Sequence, residues 1–357
     1  MKKATSQDVA RLAGVSQATV SLILNNSDQI TFSSETKEKV FAAAQELGYE
    51  LPRRKKQPSK KSSRMLLVLT PTLTNQYYSE LIQAVEDYAD SLGYRVIVCN
   101  TFRKSDLEKY YLDTFLAGHV DGVIYTFLPS FPHLIEQVSV NTPVVIIGEK
   151  QEDMAICSIE LSNVSAGAML AEHLYQLGHH KMAFLSTPFN QFTLARGQRL
   201  EGIRKQLESH GLTDGLEVIV EDPCAETDMQ DNGLPYEYVV GRRLVAEFLR
   251  RKGQATALIG VNDMTALGIL NELQAQGFRV PRDYSVCGFD NIFSSSVTTP
   301  ALTTIDHHLY TRCRSAVDMI LSQNEKRSSA QPTMVNKIEY TPQLIVRGST
   351  GPCGAAR

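Results

Sequence analysis

The sequence predicts an α/β protein in two parts, a three-helix amino-terminal head followed by a core of two doubly wound parallel sheets. Three observations predict it. Residues 5–25, TSQDVARLAGVSQATVSLILN, spell two short helices joined by a glycine turn. From residue 65 onward, short apolar runs alternate with amphipathic helical stretches, as parallel sheets require. Residues 1–64 hold 12 Lys and Arg against 6 Asp and Glu, whereas the remainder holds 24 against 33, so basic charge is confined to the first part of a chain of net charge −3. Such a basic arm on an acidic protein is expected where only the arm meets a polyanion.

The head reads residue by residue. Thr5 is placed to cap a helix, with Asp8 in its first turn to reach back to the cap and complement the dipole. Val9, Ala10, Leu12 and Ala13 form its apolar stripe, and Gly14 supplies a left-handed end. Ser16 then caps a second helix whose Val20, Ile23 and Leu24 face inward. Its leading face stays polar, with Ser16, Gln17, Ala18, Thr19 and Ser21 able to approach phosphates and base edges. This is how a helix-turn-helix reads DNA. A third helix, capped by Ser34 and ended by Gly48, buries Val40, Ala43, Ala44 and Leu47. The head is assigned to 1–50. Residues 51–64, LPRRKKQPSKKSSR, carry seven basic residues, two prolines and no acid, and read as a basic linker that adds charge toward DNA.

The core is assigned to 65–350. Strands are expected at 65–70, 94–100, 122–128 and 142–148, with a helix at 78–92 and further helices between. A second series follows: helix 163–177, strand 181–186, helix 195–210, strand 216–221, helix 239–252, strand 256–261, helix 264–276 and strand 284–290. Ligands in such sheets bind beyond the carboxyl ends of the strands, so a cleft between the two halves gathers residues from several loops. The acidic segment 224–238 reads as an exposed loop more than a lid.

Composition excludes several classes. No apolar run reaches the length of a membrane span, and MKKATSQDVARLAG lacks the hydrophobic stretch of a secretory signal, so a cytoplasmic location without membrane contact is expected. The six cysteines (99, 157, 224, 287, 313 and 353) form no CxxC pair and have no histidines at metal spacing. Adjacent His179 and His180 point in different directions, so no metal site and no cofactor is expected. A catalytic Ser/His/Asp set, a P-loop and GxGxxG are all missing from the strand ends, which disfavours an enzyme. A solute receptor would need an export signal where this chain carries DNA-reading helices.

The segments TSQDVARLAGVSQATVSLILN, RVIVCNT, VDGVI, LGHHKMAFLS, LARGQRLEGI, ALIGVNDMTALGIL, RVPRDYSVCGFDN, TTPALTTI and VRGST occur in this order over nearly the whole chain. Together they resemble the lactose-repressor/galactose-repressor family of bacterial transcription regulators. The resemblance implies a repressor that binds a pseudo-palindromic DNA operator as a homodimer. It also implies a two-lobed, periplasmic-binding-protein-like core whose small-molecule effector, most commonly a sugar and alternatively a nucleobase, shifts DNA affinity. It implies interleaved lobes, the first about 65–161 and 291–323, the second about 162–290 and 324–347, with a return crossing near Asn291. The end GSTGPCGAAR lacks a leucine heptad, so a dimer is expected rather than a tetramer.

Carried over by position, the resemblance places Thr5, Ser16, Gln17, Ala18, Thr19, Ser21, Leu22 and Asn25 at the DNA surface, joined by Arg53, Arg54, Lys55 and Lys56 of the linker. Gln17 suits an adenine edge and Ala18 a thymine methyl. Leu22 departs from the arginine many family members carry there, and no leucine follows Leu51 in the linker. A leucine wedge in the minor groove is therefore not expected. The effector positions fall on Asn75, Gln76, Tyr77, Tyr78, Asn100, Tyr125, Phe127, Arg196, Asn262, Asp263 and Asp290. Their mix of aromatic faces and hydrogen-bonding groups suits a sugar. Ser162 stands where the family commonly has Asp, which removes a charge near the cleft.

Overall fold

The computed structural model describes residues 4–24, 33–47, 49, 63–116, 120–190, 193–222, 233–329, 331–332 and 334–354. The chain divides into two compact units, 1–61 and 62–357.

In the first unit, helices α1 (Ser6–Ala13), α2 (Gln17–Leu24) and α3 (Ser34–Glu46) enclose Val9, Ala10, Val20, Ile23, Val40, Ala43 and Ala44. Thr5 and Asp8 cap α1 reciprocally: the Asp8 N–H donates to Thr5 Oγ1 (3.3 Å) and the Thr5 N–H donates to the Asp8 carboxylate (3.0 Å). Gly14, at φ +69°, ends α1, and the Ser16 hydroxyl accepts the Thr19 N–H (3.1 Å) to start α2. Three sequence expectations shift, one being Leu47, read on the buried face of the third helix, which follows the end of α3 as its C-cap and is exposed. Ser33, not Ser34, caps α3, accepting the Thr36 N–H (3.3 Å), so the helix begins at Ser34, one residue earlier than a Ser34 cap implies. Leu12 is 48% exposed because Val9, Ala10 and Ala13 share one arc of the helix and Leu12 falls to its side. Gly48 and residues 51–62, most of the basic linker, lie outside the described residues.

The second unit opens with β1 (Met65–Thr70), α4 (Gln76–Ser91), β2 (Arg95–Asn100), α5 (Ser105–Phe115), β3 (Gly122–Tyr125), α6 (Pro132–Asn141), β4 (Val144–Ile147) and β5 (Cys157–Leu161). The largely apolar strands β1, β3 and β4 are buried on both faces, as a parallel sheet covered by helices on either side demands. A second series follows: α7 (Asn163–Gln176), β6 (Met182–Ser186), α8 (Leu194–Ser209), β7 (Leu216–Val220), α9 (Tyr236–Arg250), β8 (Ala257–Gly260), α10 (Asp263–Ala275) and β9 (Ser285–Cys287). After it come α11 (Phe293–Val297), β10 (Thr304–Asp306), α12 (Leu309–Ser328), β11 (Lys337–Tyr340) and β12 (Gln343–Ile345). The first sheet runs β11-β5-β4-β3-β1-β2 and the second β7-β6-β8-β9, both parallel, so the two doubly wound sheets stand as expected.

The lobe boundaries differ from the sequence reading. Residues 291–306 stay with lobe two, since Ile292 and Leu302 belong to its apolar core and Asp290 and Asp306 are bridged. The chain does not return to lobe one until Asp306–His308, and α12 then packs on α4, β4 and β5 of lobe one. Residues 324–340 also belong to lobe one, because β11 adds to its sheet beside β5. A further crossing at 341–342 lets β12 pair antiparallel with β10, and the Ser349 hydroxyl donates to the Val286 carbonyl (2.6 Å) in lobe two. Backbone pairing decides these assignments, and a three- or four-residue strand announces it weakly. Segment 224–238 falls mostly outside the described residues, and the helix after it starts at Tyr236, three residues earlier than read.

Candidate functional site

The head presents the start of α2. Ser16 and Gln17 are exposed, and Thr19 is half-buried with its hydroxyl bonded to that of Ser16 (2.8 Å). The Gln17 amide donates to the Ser6 hydroxyl across the turn (2.9 Å), which steadies the side chain at the tip of the helix. Thr5 is committed to its cap, its hydroxyl donating to Asp8 (2.6 Å). Ala18, Ser21 and Leu22 lie within α2, but their side chains fall outside the described ones. So do Asn25, Arg53, Arg54, Lys55 and Lys56 altogether.

In the second unit a cavity opens between the lobes, beyond the carboxyl ends of the strands, where doubly wound sheets place ligands. Of the residues read from sequence, Asn75, Tyr77, Tyr78, Phe127, Arg196, Asn262 and Asp290 line it. Asn75 and Asn262 are held there as helix caps, accepting the N–H groups of Tyr77 (3.1 Å) and Thr265 (2.9 Å). Arg196 donates to the Pro188 carbonyl (2.6 Å). Tyr77 packs against the apolar cores of both lobes, and burial raises its hydroxyl to about 12.

Four positions fall elsewhere. Tyr125 is fully buried in lobe one and donates to Glu108 (3.1 Å), because alternate strand residues face opposite sides and its side faces the apolar core. Asn100 turns back to accept the Phe102 N–H (3.2 Å). Gln76 accepts from the Ser294 hydroxyl (2.5 Å) of α11. Asp263 lies wholly inside lobe two, accepting from the Ser295 hydroxyl (2.6 Å), the Thr304 hydroxyl (2.6 Å) and the Ile292 N–H (3.2 Å). Burial pushes its carboxyl up to about 7 against these donors. It ties the loop after β9 to the start of α10.

Arg199 lines the cavity together with Asn163 and Glu149, and the sequence reading passed over it in favour of Arg196. Its Nε donates to Asn163 Oδ1 (2.7 Å), its Nη1 to the Val261 carbonyl (2.6 Å), and its Nη2 lies 3.5 Å from Asp290. The guanidinium also stacks 4.7 Å over the Phe289 ring. Two glycines make this possible: a Cβ on Gly167 would meet the Arg199 carbonyl at 2.1 Å, and one on Gly202 the Val164 carbonyl at 1.9 Å. Helices α7 and α8 therefore pack backbone to backbone and bring Arg199 to Asn163. Asn163 also donates to Glu149, whose carboxyl burial raises. Ser162, the position departing from the family pattern, caps α7 by accepting the Ser165 N–H (3.3 Å).

Asp290 sits at φ +122°, a conformation rarely adopted by side-chain-bearing residues, and burial raises its carboxyl well above the usual range. Its other neighbour is His307, with Nδ1 at 3.5 Å. Burial, reinforced by Arg199 and Arg312, holds that imidazole well below its ordinary value, hence neutral. His307 and Arg312 also escaped the sequence reading. They come from the late crossing and from α12, and no local motif marks either. Among the described residues no group of three His, Cys, Asp or Glu is arranged to hold a metal, and no helix is long and apolar enough to cross a membrane.

Residues 63–340 match the family described as periplasmic binding proteins and sugar binding domain of LacI family, and residues 5–51 match the bacterial regulatory proteins, lacI family. The chain is 30% identical to the HTH-type transcriptional repressor CytR of Escherichia coli K12, covering 97% of this chain and 96% of that protein. It is 28% identical to the repressor PurR of Haemophilus influenzae, over 97% and 98%. Among solved structures it resembles the lac repressor dimer bound to operator and the anti-inducer ONPF, with a TM-score of 0.68, 29% identity, and coverage of 98% of this chain and 100% of that one.

Proposed function

The chain belongs to the LacI family of bacterial regulatory proteins and is a DNA-binding transcriptional repressor of that family, and on that premise we propose that a sugar held in the cavity between its lobes sets its affinity for an operator. The observation that carries the sugar reading is the lining. Tyr78 and Phe127 offer aromatic faces beside Arg196, Asn262 and Asp290, a combination that packs the apolar side of a pyranose and hydrogen-bonds its hydroxyls. A ligand touching both lobes stabilises their closed arrangement. A coupling of about 1–3 kcal/mol is enough to regulate operator binding.

The DNA surface of this reading is the start of α2, with Gln17 and Ala18 at base edges and Ser16, Thr19, Ser21 and Asn25 at phosphates. Thr5 and Leu22 flank them, and Arg53, Arg54, Lys55 and Lys56 add backbone charge. The family's lac repressor dimer on its operator supports a homodimer on a pseudo-palindromic site. Thermal-shift screening of monosaccharides, disaccharides and nucleobases, followed by electrophoretic binding to the chain's own upstream region, tests this. A sugar that both raises the melting temperature and alters DNA retention is the expected result. A shift by a purine alone overturns the sugar, and failure to bind any DNA at low salt overturns the regulator.

A further inference from the structure

The deepest cation of the cavity has no counter-ion. Arg312, 3% exposed on α12, donates through Nη2 to the Ile159 carbonyl (3.1 Å) and through Nη1 to the Tyr77 hydroxyl (3.5 Å), and its Nε has no partner. Among the described residues no carboxylate lies within ion-pair distance of it. Three acids share the cavity, and none pairs with it: Asp290 stands beside Arg199 and His307, Glu149 accepts from Asn163, and Glu237, buried at the start of α9, acts on Asp290 from the lobe-two side. A guanidinium stays charged in any protein environment, and a buried charge without its opposite is strongly disfavoured. Something must complete it.

A second group of the same wall is also incomplete. His307, 2% exposed, lines the cavity with Nδ1 toward the Asp290 carboxylate and Nε2 without a partner. A neutral imidazole that keeps its proton on Nδ1, facing a carboxylate, leaves Nε2 as an acceptor for a hydroxyl. The Tyr77 ring adjoins both, 5.9 Å from His307 edge to face and bonded to Arg312.

We propose that the effector is an acidic sugar, its anionic oxygens seated on Arg312 and one of its hydroxyls donating to His307. A carboxylate, as in a hexuronate or aldonate, and a phosphate ester both supply that group. The inference rests on the cavity being the effector site, as read above.

The test is calorimetric titration of the full chain with D-glucuronate, D-gluconate, glucose 6-phosphate and D-glucose, repeated on Arg312→Met, with operator retention measured in parallel. At least one of the three acids is expected to bind ten-fold or more tightly than glucose. Glucuronate or gluconate in front identifies a carboxylate, and glucose 6-phosphate in front identifies a phosphate. Arg312→Met is expected to erase the preference, and Arg312→Lys to restore part of it. Glucose binding as tightly as the acids, with Arg312→Met indifferent, overturns the acidic ligand and leaves the sugar reading standing. DNA binding intact with no response to any of the three acids overturns the acidic ligand, and the broader sugar screen above then decides the sugar reading separately.

Discussion

On the lobe-two side of the cavity Arg199 engages Asn163, the Val261 carbonyl and Asp290, and just behind it Asp263 accepts from three donors. On the lobe-one side Arg312 is as deeply buried, yet it holds one backbone carbonyl and one phenol and leaves Nε free, while His307 at the crossing leaves Nε2 free. One wall is knotted to itself and the other stands open. The knotted wall fixes its side chains in advance, so its donors and acceptors are positioned whether or not a ligand is present. The open wall has polar atoms that only a ligand or water can satisfy, and there the chemical identity of the ligand is selected.

The comparison breaks most directly at the two arginines. Arg199→Met leaves Asp290 buried without its cation and strips Asn163 and Val261 of a donor. A stability loss of about 3–5 kcal/mol in urea titration is expected. A loss below about 1 kcal/mol would show that this wall is not held by its polar contacts.

The pH profile sharpens the contrast with a smaller effect. His307 has a folded value below 6.5, so its contribution is present above about 6.5 and is lost as pH falls. Asp263 has the opposite sign: its folded value of about 7 lies above the ordinary 3.8, so its contribution is full below about 4 and fades as pH rises through 7. Urea midpoints across pH 4–8 should therefore show a shallower acid-side decline in His307→Asn and a shallower alkaline-side decline in Asp263→Asn, Asp290 and the other buried carboxyls keeping the remainder.

The smallest change is expected at Arg312→Met. Removing a buried cation without a carboxylate should leave the urea midpoint unchanged or higher. A marked loss of stability would mean that the open wall is as self-contained as the other.

Much of this was legible from residue order. The capping pair Thr5 and Asp8, the glycine turn at Gly14 and the uninterrupted apolar strand 65–70 are local signals, and each governs the conformation of its own few residues. Asp290 and Asn262 were legible because strand ends in doubly wound sheets meet at the ligand. Asp263 was misread for a related reason. It follows Asn262 directly, but at the start of a helix successive side chains diverge, and this one turns inward to Ser295 and Thr304. Tyr125 was misread because a strand buried on both faces gives no alternation to tell the core side from the cleft side.

The sequence alone determined the head, the alternation of strands and helices, and the concentration of basic charge before residue 65, since propensity, periodicity and charge are properties of short stretches. Only the tertiary structure decided that Arg199 joins Arg196 in lining the cavity, that the return crossing waits until Asp306–His308, and that a helix more than 200 residues from Tyr77 sets Arg312 beside its hydroxyl. These follow from backbone pairing and close helix packing between segments far apart in the chain, and no window of sequence contains both partners.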